Sequence, residues 1–143
     1  MNYIHTRGIS SESYLPYFAK NVNCPIPPPA ENKYYLNANM PYTVLYQGRE
    51  KMKEALQVGP LTACLDWRGN LKFGADGIGR CSGIMTLGGH CIVIVGYNDE
   101  EKYWIIKNSW GSSWGQGGYG KIGYGECRME EWRGRPLFPN VVV

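Results

Sequence analysis

Two residues in this 143-residue chain combine side-chain type and spacing in a way that could do chemistry: His90 and Asn108. His90 opens the β-branched, apolar run Cys91-Ile92-Val93-Ile94-Val95, and Asn108 closes the aromatic and β-branched run Tyr103-Trp104-Ile105-Ile106. Both runs suit a pleated, half-buried surface. The polar stretch Asn98-Asp99-Glu100-Glu101-Lys102 between them is short and charged, which makes the whole segment a β-hairpin. Centring the turn on Asp99 sets His90 directly opposite Asn108, Ile92 opposite Ile106 and Ile94 opposite Trp104. Directly opposed side chains lie roughly 5 Å apart at Cβ, so an imidazole and a carboxamide could hydrogen-bond. An oriented imidazole is the core of an acid/base site. The plainer alternative is a histidine that merely ends a core strand, but Gly88 and Gly89 remove side chains from its approach and leave backbone along which a substrate could lie.

A zinc site is excluded at this point by geometry. His90 and Cys91 are adjacent on one strand and point to opposite faces, and no other His or Cys group has ligand spacing. No cofactor is expected. The body that must hold the pair is β-rich. Nineteen glycines and the abundance of Tyr and Trp favour turns and pleated surfaces over a helical bundle. A net charge of +3 comes from scattered basic residues without a run that would track phosphates, so nucleic acid is not an expected partner. No stretch approaches the roughly 18 apolar residues of a membrane span. The leading residues Met1 to Gly8 lack a basic region followed by an apolar one, so no signal peptide is expected; taken as written, the chain is cytoplasmic.

Along the chain, the segment through Phe18 reads as a helix end running into a surface loop, and Asn21 to Asn32, with Pro25, Pro27, Pro28 and Pro29 around Cys24, as a linker rather than a proline-recognition ligand. Tyr34 to Tyr46 is strand-like. Arg49 to Val58 is a helix, because Met52, Ala55 and Leu56 share a face, and Gly59-Pro60 stops it. Leu61 to Leu65 is a strand, Phe73 to Gly83 a glycine-rich connection, and Tyr119 to Tyr124 a further strand. One domain over residues 1–143 accommodates this, with a loop-rich leading segment (1–33) and a body (34–143). Cys24, Cys64, Cys81, Cys91 and Cys127 are an odd number, so at least one is free or has its partner elsewhere. Cys64 and Cys91 fall within apolar strands, where buried, inert thiols are expected.

The segment Asn108-Ser109-Trp110-Gly111, followed by Trp114-Gly115-Gln116-Gly117-Gly118-Tyr119 and preceded by His90 with Val95-Gly96-Tyr97, resembles the papain-like (C1) cysteine peptidases. Their C-terminal signature is an N-S-W-G segment, a W-G-x-x-G-Y segment and an H-x-x-x-x-V-G-Y strand. The resemblance extends upstream through Tyr14-Leu15-Pro16-Tyr17 and Gly59-Pro60-Leu61 and downstream to Cys127, over most of the chain. It implies an α+β, β-rich fold: the β-barrel-like C-terminal domain of these enzymes, without the N-terminal helical domain. It makes His90 the general base and acid for a cysteine nucleophile, Asn108 the acceptor that orients it, and Trp110 the shield of their hydrogen bond. Gly88 and Cys64 resemble positions lining a substrate subsite. Trp114 resembles the aromatic residue on the leaving-group side, or simply packs under the glycine loop. Gly89 departs from the Asn or Asp common in the family.

The same resemblance pairs Cys81 with Cys127 as a disulfide and leaves Cys24 for a partner in the other half. The Q-x-x-x-C-G-S-C-W type segment that carries the nucleophile is not found in these residues, nor is the glutamine of the oxyanion hole. The chain is therefore expected to be the His/Asn-bearing half of a peptidase, inactive alone. Its partner would be the Cys-bearing half or another protein chain covering the cleft face, with peptide as substrate when complemented. The alternative is a noncatalytic module serving as a structural or binding subunit. The resemblance implies a lysosomal or secreted location.

Overall fold

The computed structural model describes residues 2–16, 33–36, 42–44, 48–66, 71–82, 89–131, 137–139 and 141–142. Cys24, Gly88 and the proline-rich segment lie outside them. The chain divides into two compact units, Met1–Thr43 with Pro139–Val143, and Val44–Phe138. In the smaller unit a short helix α1 (Asn2–Arg7) precedes strand β1 (Ile9–Ser10). Strand β2 (Lys33–Leu36) pairs antiparallel with β1 on one side, Ile9 facing Tyr34, and with β11 (Val141–Val142) on the other, Val141 facing Leu36. Strand β3 (Tyr42–Val44) falls at the boundary between the units.

The larger unit is built around one mixed sheet. Helix α2 (Arg49–Leu56) is followed by β4 (Leu61–Asp66), β5 (Leu71–Phe73), β6 (Ile78–Cys81), β7 (Gly89–Asn98), β8 (Tyr103–Lys107), β9 (Tyr119–Gly123) and β10 (Leu137–Pro139). In space the order is β10, β4, β7, β8, β9, β6, β5, antiparallel throughout except for the parallel β6 and β9 pair. Strand β4 shows the cause of this arrangement most directly. Leu61, Ala63 and Leu65 are buried while Thr62, Cys64 and Asp66 are not, the period of two expected of a strand with one face on a core. Those residues meet Ile92, Ile94, Trp104, Ile106 and Ile122 in the core, and α2 closes it with the fully buried Met52.

Two expectations need correction. The stretch from Phe73 to Gly83 is not simply a connection, because β5 and β6 form an antiparallel ribbon in it. Gly74 and Gly77 shape its turn, where the Gly77 N–H donates to the Gly74 carbonyl at 2.9 Å and the Ile78 N–H to Asp76 Oδ1 at 2.9 Å, while Gly79 lies within β6. The turn signal hid a strand whose Ile78 and Gly79 are buried. Arg80 completes the turn with two contacts to Asp76, which hold that carboxyl down at about 2. A carboxylate depressed in the folded state stabilises it above the unfolded value near 3.8, and that contribution disappears as pH falls toward 2. Asp76→Asn should therefore flatten the acid limb of the stability curve between about pH 4 and 2, as read by urea midpoints across that range.

The second correction concerns the central hairpin. Its turn spans four residues, Asp99 to Lys102, with Asn98 facing Tyr103. Asn98 Oδ1 accepts the Glu101 N–H at 2.8 Å, and Lys102 takes the left-handed conformation, φ 60°. This moves the pairing away from the register centred on Asp99: Tyr97 faces Trp104 and Gly96 faces Ile105. A β-bulge between Ile94 and Gly96 then shifts it again, so that Ile94 faces Ile106 and Val93 faces Lys107. The bulge decides the chemistry. Continued without it, the register near the turn would send Asn108 to the sheet face opposite His90; with it, both side chains lie on one face.

Candidate active site

Asn108 follows directly on the last residue of β8, and its backbone is held by its own environment rather than by a ladder. Its N–H donates to the Gly118 carbonyl at 3.0 Å. Gly118 has φ +91°, and a Cβ there would come within 3.1 Å of the Gly111 carbonyl oxygen, so only glycine brings the loop back to this donor. Asn108 is 3% exposed. Its Oδ1 accepts the Ser109 N–H at 2.8 Å and lies 2.9 Å from His90 Nε2. Because a backbone N–H must meet an oxygen, the amide orientation is fixed. His90 Nε2 is then the donor, and the neutral ring carries its lone pair on Nδ1. The Asn108 Nδ2 atom is buried without a hydrogen-bond partner among the described residues.

His90 and Asn108 are thus brought together, although not as directly opposed residues. His90 pairs with Leu65 of β4, and β8 ends before reaching it. The Asn108 side chain reaches diagonally, which is within range for neighbours offset by two along the strand. The Trp110 ring lies 5.1 Å from the imidazole, centroid to centroid, tilted by 34°, and remains 50% exposed. A ring at that distance can stabilise an imidazolium through its π face as well as limit water around the hydrogen bond. Trp114 stacks edge-on against Trp110 at 6.1 Å and against Phe73 at 6.4 Å. Trp114 also covers Gly120, where a Cβ would approach its ring to 2.7 Å, so packing beneath the glycine loop is a real part of its environment. Phe73 and the Ser109 N–H were not singled out from the sequence. The first needed the β5–β6 ribbon to be seen, and the second is backbone, which residue type does not reveal. Gly89 is exposed at the strand end, and among the described residues nothing nearer than 4.0 Å would oppose a Cβ there.

Cys81 and Cys127 form a disulfide, and so do Cys64 and Cys91. The second pair overturns the expectation of two buried thiols. The two cysteines face each other across β4 and β7, on the side of the sheet away from the core, where Cys91 is exposed and Cys64 half-buried. Apolar neighbours in the sequence suggested burial, but alternation puts those neighbours on the other face. Among the described residues no three His, Cys, Asp or Glu side chains group as a metal site would require, and no helix is long and apolar enough to cross a membrane.

The hairpin that carries His90 is held at its turn by a charged and aromatic cluster. Lys53 of α2 meets Asp99 at 2.6 Å, and Tyr124 donates its hydroxyl to the same carboxylate at 3.0 Å. The Lys53 ammonium, with Tyr124, holds the Asp99 carboxyl below its usual range. Burial, reinforced by the hydrogen bond to Asp99, pushes the Tyr124 phenol up to about 12 from 10.0. The sign follows from linkage. Above pH 10 the unfolded tyrosine gives up a proton that the folded one retains, so stability is lost as pH rises from about 10 to 12. Tyr124→Phe is expected to remove part of that slope, measured by denaturant midpoints at alkaline pH, and a phenolate absorbance titration of the folded chain should lose a component that ionises near pH 12.

A family model described as papain family cysteine protease matches residues 1–135. The chain belongs to that family. It is 34% identical over 150 aligned residues to ananain of Ananas comosus, covering 96% of this chain and 41% of ananain. It is 35% identical over 127 residues to cathepsin L2 of Homo sapiens, covering 80% of this chain and 36% of that protein. Among solved structures, the digestive procathepsin L 3 of Tenebrio molitor larval midgut matches with a TM-score of 0.74 at 28% identity, covering 96% of this chain and 46% of that one. The chain spans less than half the length of each of these proteins. Its β-rich α+β architecture is the one expected of a papain-like C-terminal domain.

Proposed function

We propose that this chain supplies the histidine base and its orienting asparagine to a cysteine peptidase whose nucleophile lies on a separate segment, and that it hydrolyses no peptide alone. The observation that carries this reading is the 2.9 Å contact between His90 Nε2 and Asn108 Oδ1, with the asparagine itself anchored at both its backbone and its oxygen. In the proposed reaction His90 Nδ1 takes the proton of the incoming thiol, so that the thiolate attacks the peptide carbonyl. The same nitrogen then gives that proton to the leaving amine, leaving a thioester, and takes a proton from the water that hydrolyses it to release the acid and restore the thiol. Asn108 accepts from Nε2–H in the neutral and the cationic ring alike, so the imidazole need not reorient between the two transfers. Trp110 adds π stabilisation while the ring is cationic.

Four of the five cysteines are tied into disulfides, and a disulfide sulfur is no thiolate. That supports a nucleophile from elsewhere, together with the lack of a Q-x-x-x-C-G-S-C-W type segment in these residues. The partner is then a Cys-bearing segment seated against the face of His90 and Trp110, with Gly89, Trp114, Gly88 and Cys64 contributing to the substrate cleft. Two disulfides fit a lysosomal or secreted setting. One observation favours the second reading, a noncatalytic binding or structural module: Gly89 offers no side chain beside the imidazole although the described residues leave space for one.

An active-site probe that alkylates papain-type thiolates separates the two. With the chain alone, no covalent labelling is expected. Mixed with a segment bearing the C-G-S-C-W motif, that segment should be labelled, and labelling should fall when Asn108 is replaced by alanine. Labelling of the chain by itself would sink the proposal.

A further inference from the structure

We propose that Lys107 is a positioning residue for the site: its ammonium fixes the plane of the Asn108–Ser109 peptide and thereby keeps the side-chain oxygen of Asn108, rather than its NH2, toward His90. Lys107 ends β8, and in the ladder it faces Tyr119 of β9. Its side chain turns back on the chain. Nζ donates to the Asn108 carbonyl at 3.4 Å and lies 5.1 Å from the centre of the Tyr119 ring. Gly118 makes room for it, because a Cβ there would come within 2.7 Å of Nζ. The half-buried lysine thus seats its ammonium among a carbonyl, an aromatic face and the glycine whose own carbonyl accepts the Asn108 N–H.

The Asn108 carbonyl and the Ser109 N–H belong to one planar trans peptide unit and point in opposite directions, so a contact that holds the first aims the second. The Ser109 N–H donates to Asn108 Oδ1 at 2.8 Å, and the same oxygen lies 2.9 Å from His90 Nε2. Ammonium, peptide, carboxamide and imidazole are therefore linked in series. Packing does not by itself fix the rotation of the peptide: Asn108 and Ser109 border a groove of about 180 Å³, shared with Thr62, Cys91, Val93 and Lys107, which gives it space to turn. Once it turns, Oδ1 loses the N–H that selects it over Nδ2, and the carboxamide is free to present its NH2 to the ring. An amide NH2 only donates. Nε2 must then accept, which moves the proton of the neutral ring to Nδ1, the nitrogen that has to be free to take the proton of a thiol. Any consequence for hydrolysis rests on the proposed role of His90, but the positioning itself is read on this chain alone.

Two substitutions test it. Lys107→Met removes the charge and keeps the stem, whereas Lys107→Arg keeps a cation of similar reach. In each, the nitrogen NMR signals of the His90 ring give the ratio of Nε2–H to Nδ1–H tautomers of the neutral imidazole, amide hydrogen exchange reads the Ser109 N–H, and urea midpoints record stability. Lys107→Met is expected to lower the tautomer ratio about five- to tenfold, the equivalent of one hydrogen bond, and to raise Ser109 exchange by a similar factor while Trp104 and Ile106 exchange as before. Lys107→Arg should restore most of both. An unchanged tautomer ratio in Lys107→Met overturns the proposal whatever happens to the urea midpoint, because Lys107 is then only a structural residue. An equal change in Lys107→Arg overturns it as well, since the cation is then not what holds the peptide. Neither result touches the thiol-labelling experiment, so Lys107 can fail as a positioning residue while His90 keeps its role.

Discussion

With His90 replaced by alanine, the turnover number of the chain complemented by its Cys-bearing segment is expected to fall by about 10²–10⁴-fold, the range associated with loss of a positioned acid/base group. KM should change far less, because the imidazole acts on the proton in flight rather than on the bound peptide. The effect is large because one ring serves both halves of the reaction: it activates the thiol and then protonates the amine. The variant should still fold. His90 sits at the end of β7 among two terminal ladder pairs, and its side chain is not part of the buried core. Steady-state kinetics on a peptide substrate, with unfolding midpoints as the control, make the comparison. Small exogenous imidazoles in the emptied space should restore part of the rate. Undiminished hydrolysis by the alanine variant would remove His90 from the mechanism. Asn108→Ala should cost less, since the imidazole itself remains while it loses the contact that holds its orientation.

The largest effect on stability is expected at Trp104. It is fully buried, stacks against Tyr97 at 6.2 Å and Tyr124 at 4.9 Å, and donates its indole N–H to Glu130 Oε1 at 2.9 Å. The same carboxylate accepts the Gly125 N–H at 2.8 Å and two guanidinium contacts from Arg49 at 3.2 and 3.0 Å, while the Arg49 guanidinium lies over the Tyr124 ring. Trp104→Ala both opens a cavity between β7 and β9 and removes one donor from a carboxylate that is mostly buried. A loss of about 3–5 kcal/mol is expected from the cavity alone. Trp104→Phe keeps most of the volume and leaves Glu130 short of a partner, for a loss of about 1–3 kcal/mol. Urea unfolding with an unchanged slope and a lowered midpoint is the measurement. Equal losses for the two variants would mean that the hydrogen bond, not the packing, dominates at this position.

Periodicity and punctuation made much of the larger unit readable in advance. The helix at Arg49–Leu56 shows its buried Met52 at the spacing of one face and β4 shows strict alternation, although the helix ends at Leu56, two residues short of the Val58 expected before Gly59-Pro60. Each of these signals is local, so a single chain segment carries it. The strand β6 was obscured because the glycines of the turn before it dominate the composition of a short window, while its partners β5 and β9 lie elsewhere in the chain. Cys64 and Cys91 were misjudged for the same reason. Their pairing depends on β4 lying beside β7, which neither strand's own sequence announces.

The two side chains at the centre of the site show where that boundary falls. Their types, the β-branched and aromatic runs that carry them, and the segment from Asn108 to Tyr119 are properties of residue order, and they sufficed to identify the pair and the family it resembles. That His90 and Asn108 share a face was not decided by residue order. A four-residue turn displaced the expected pairing, and a bulge at Val95 displaced it again to bring the two together. A strand's faces alternate residue by residue, so one inserted residue reverses every assignment beyond it, and only packing against the neighbouring strands selects where that residue goes.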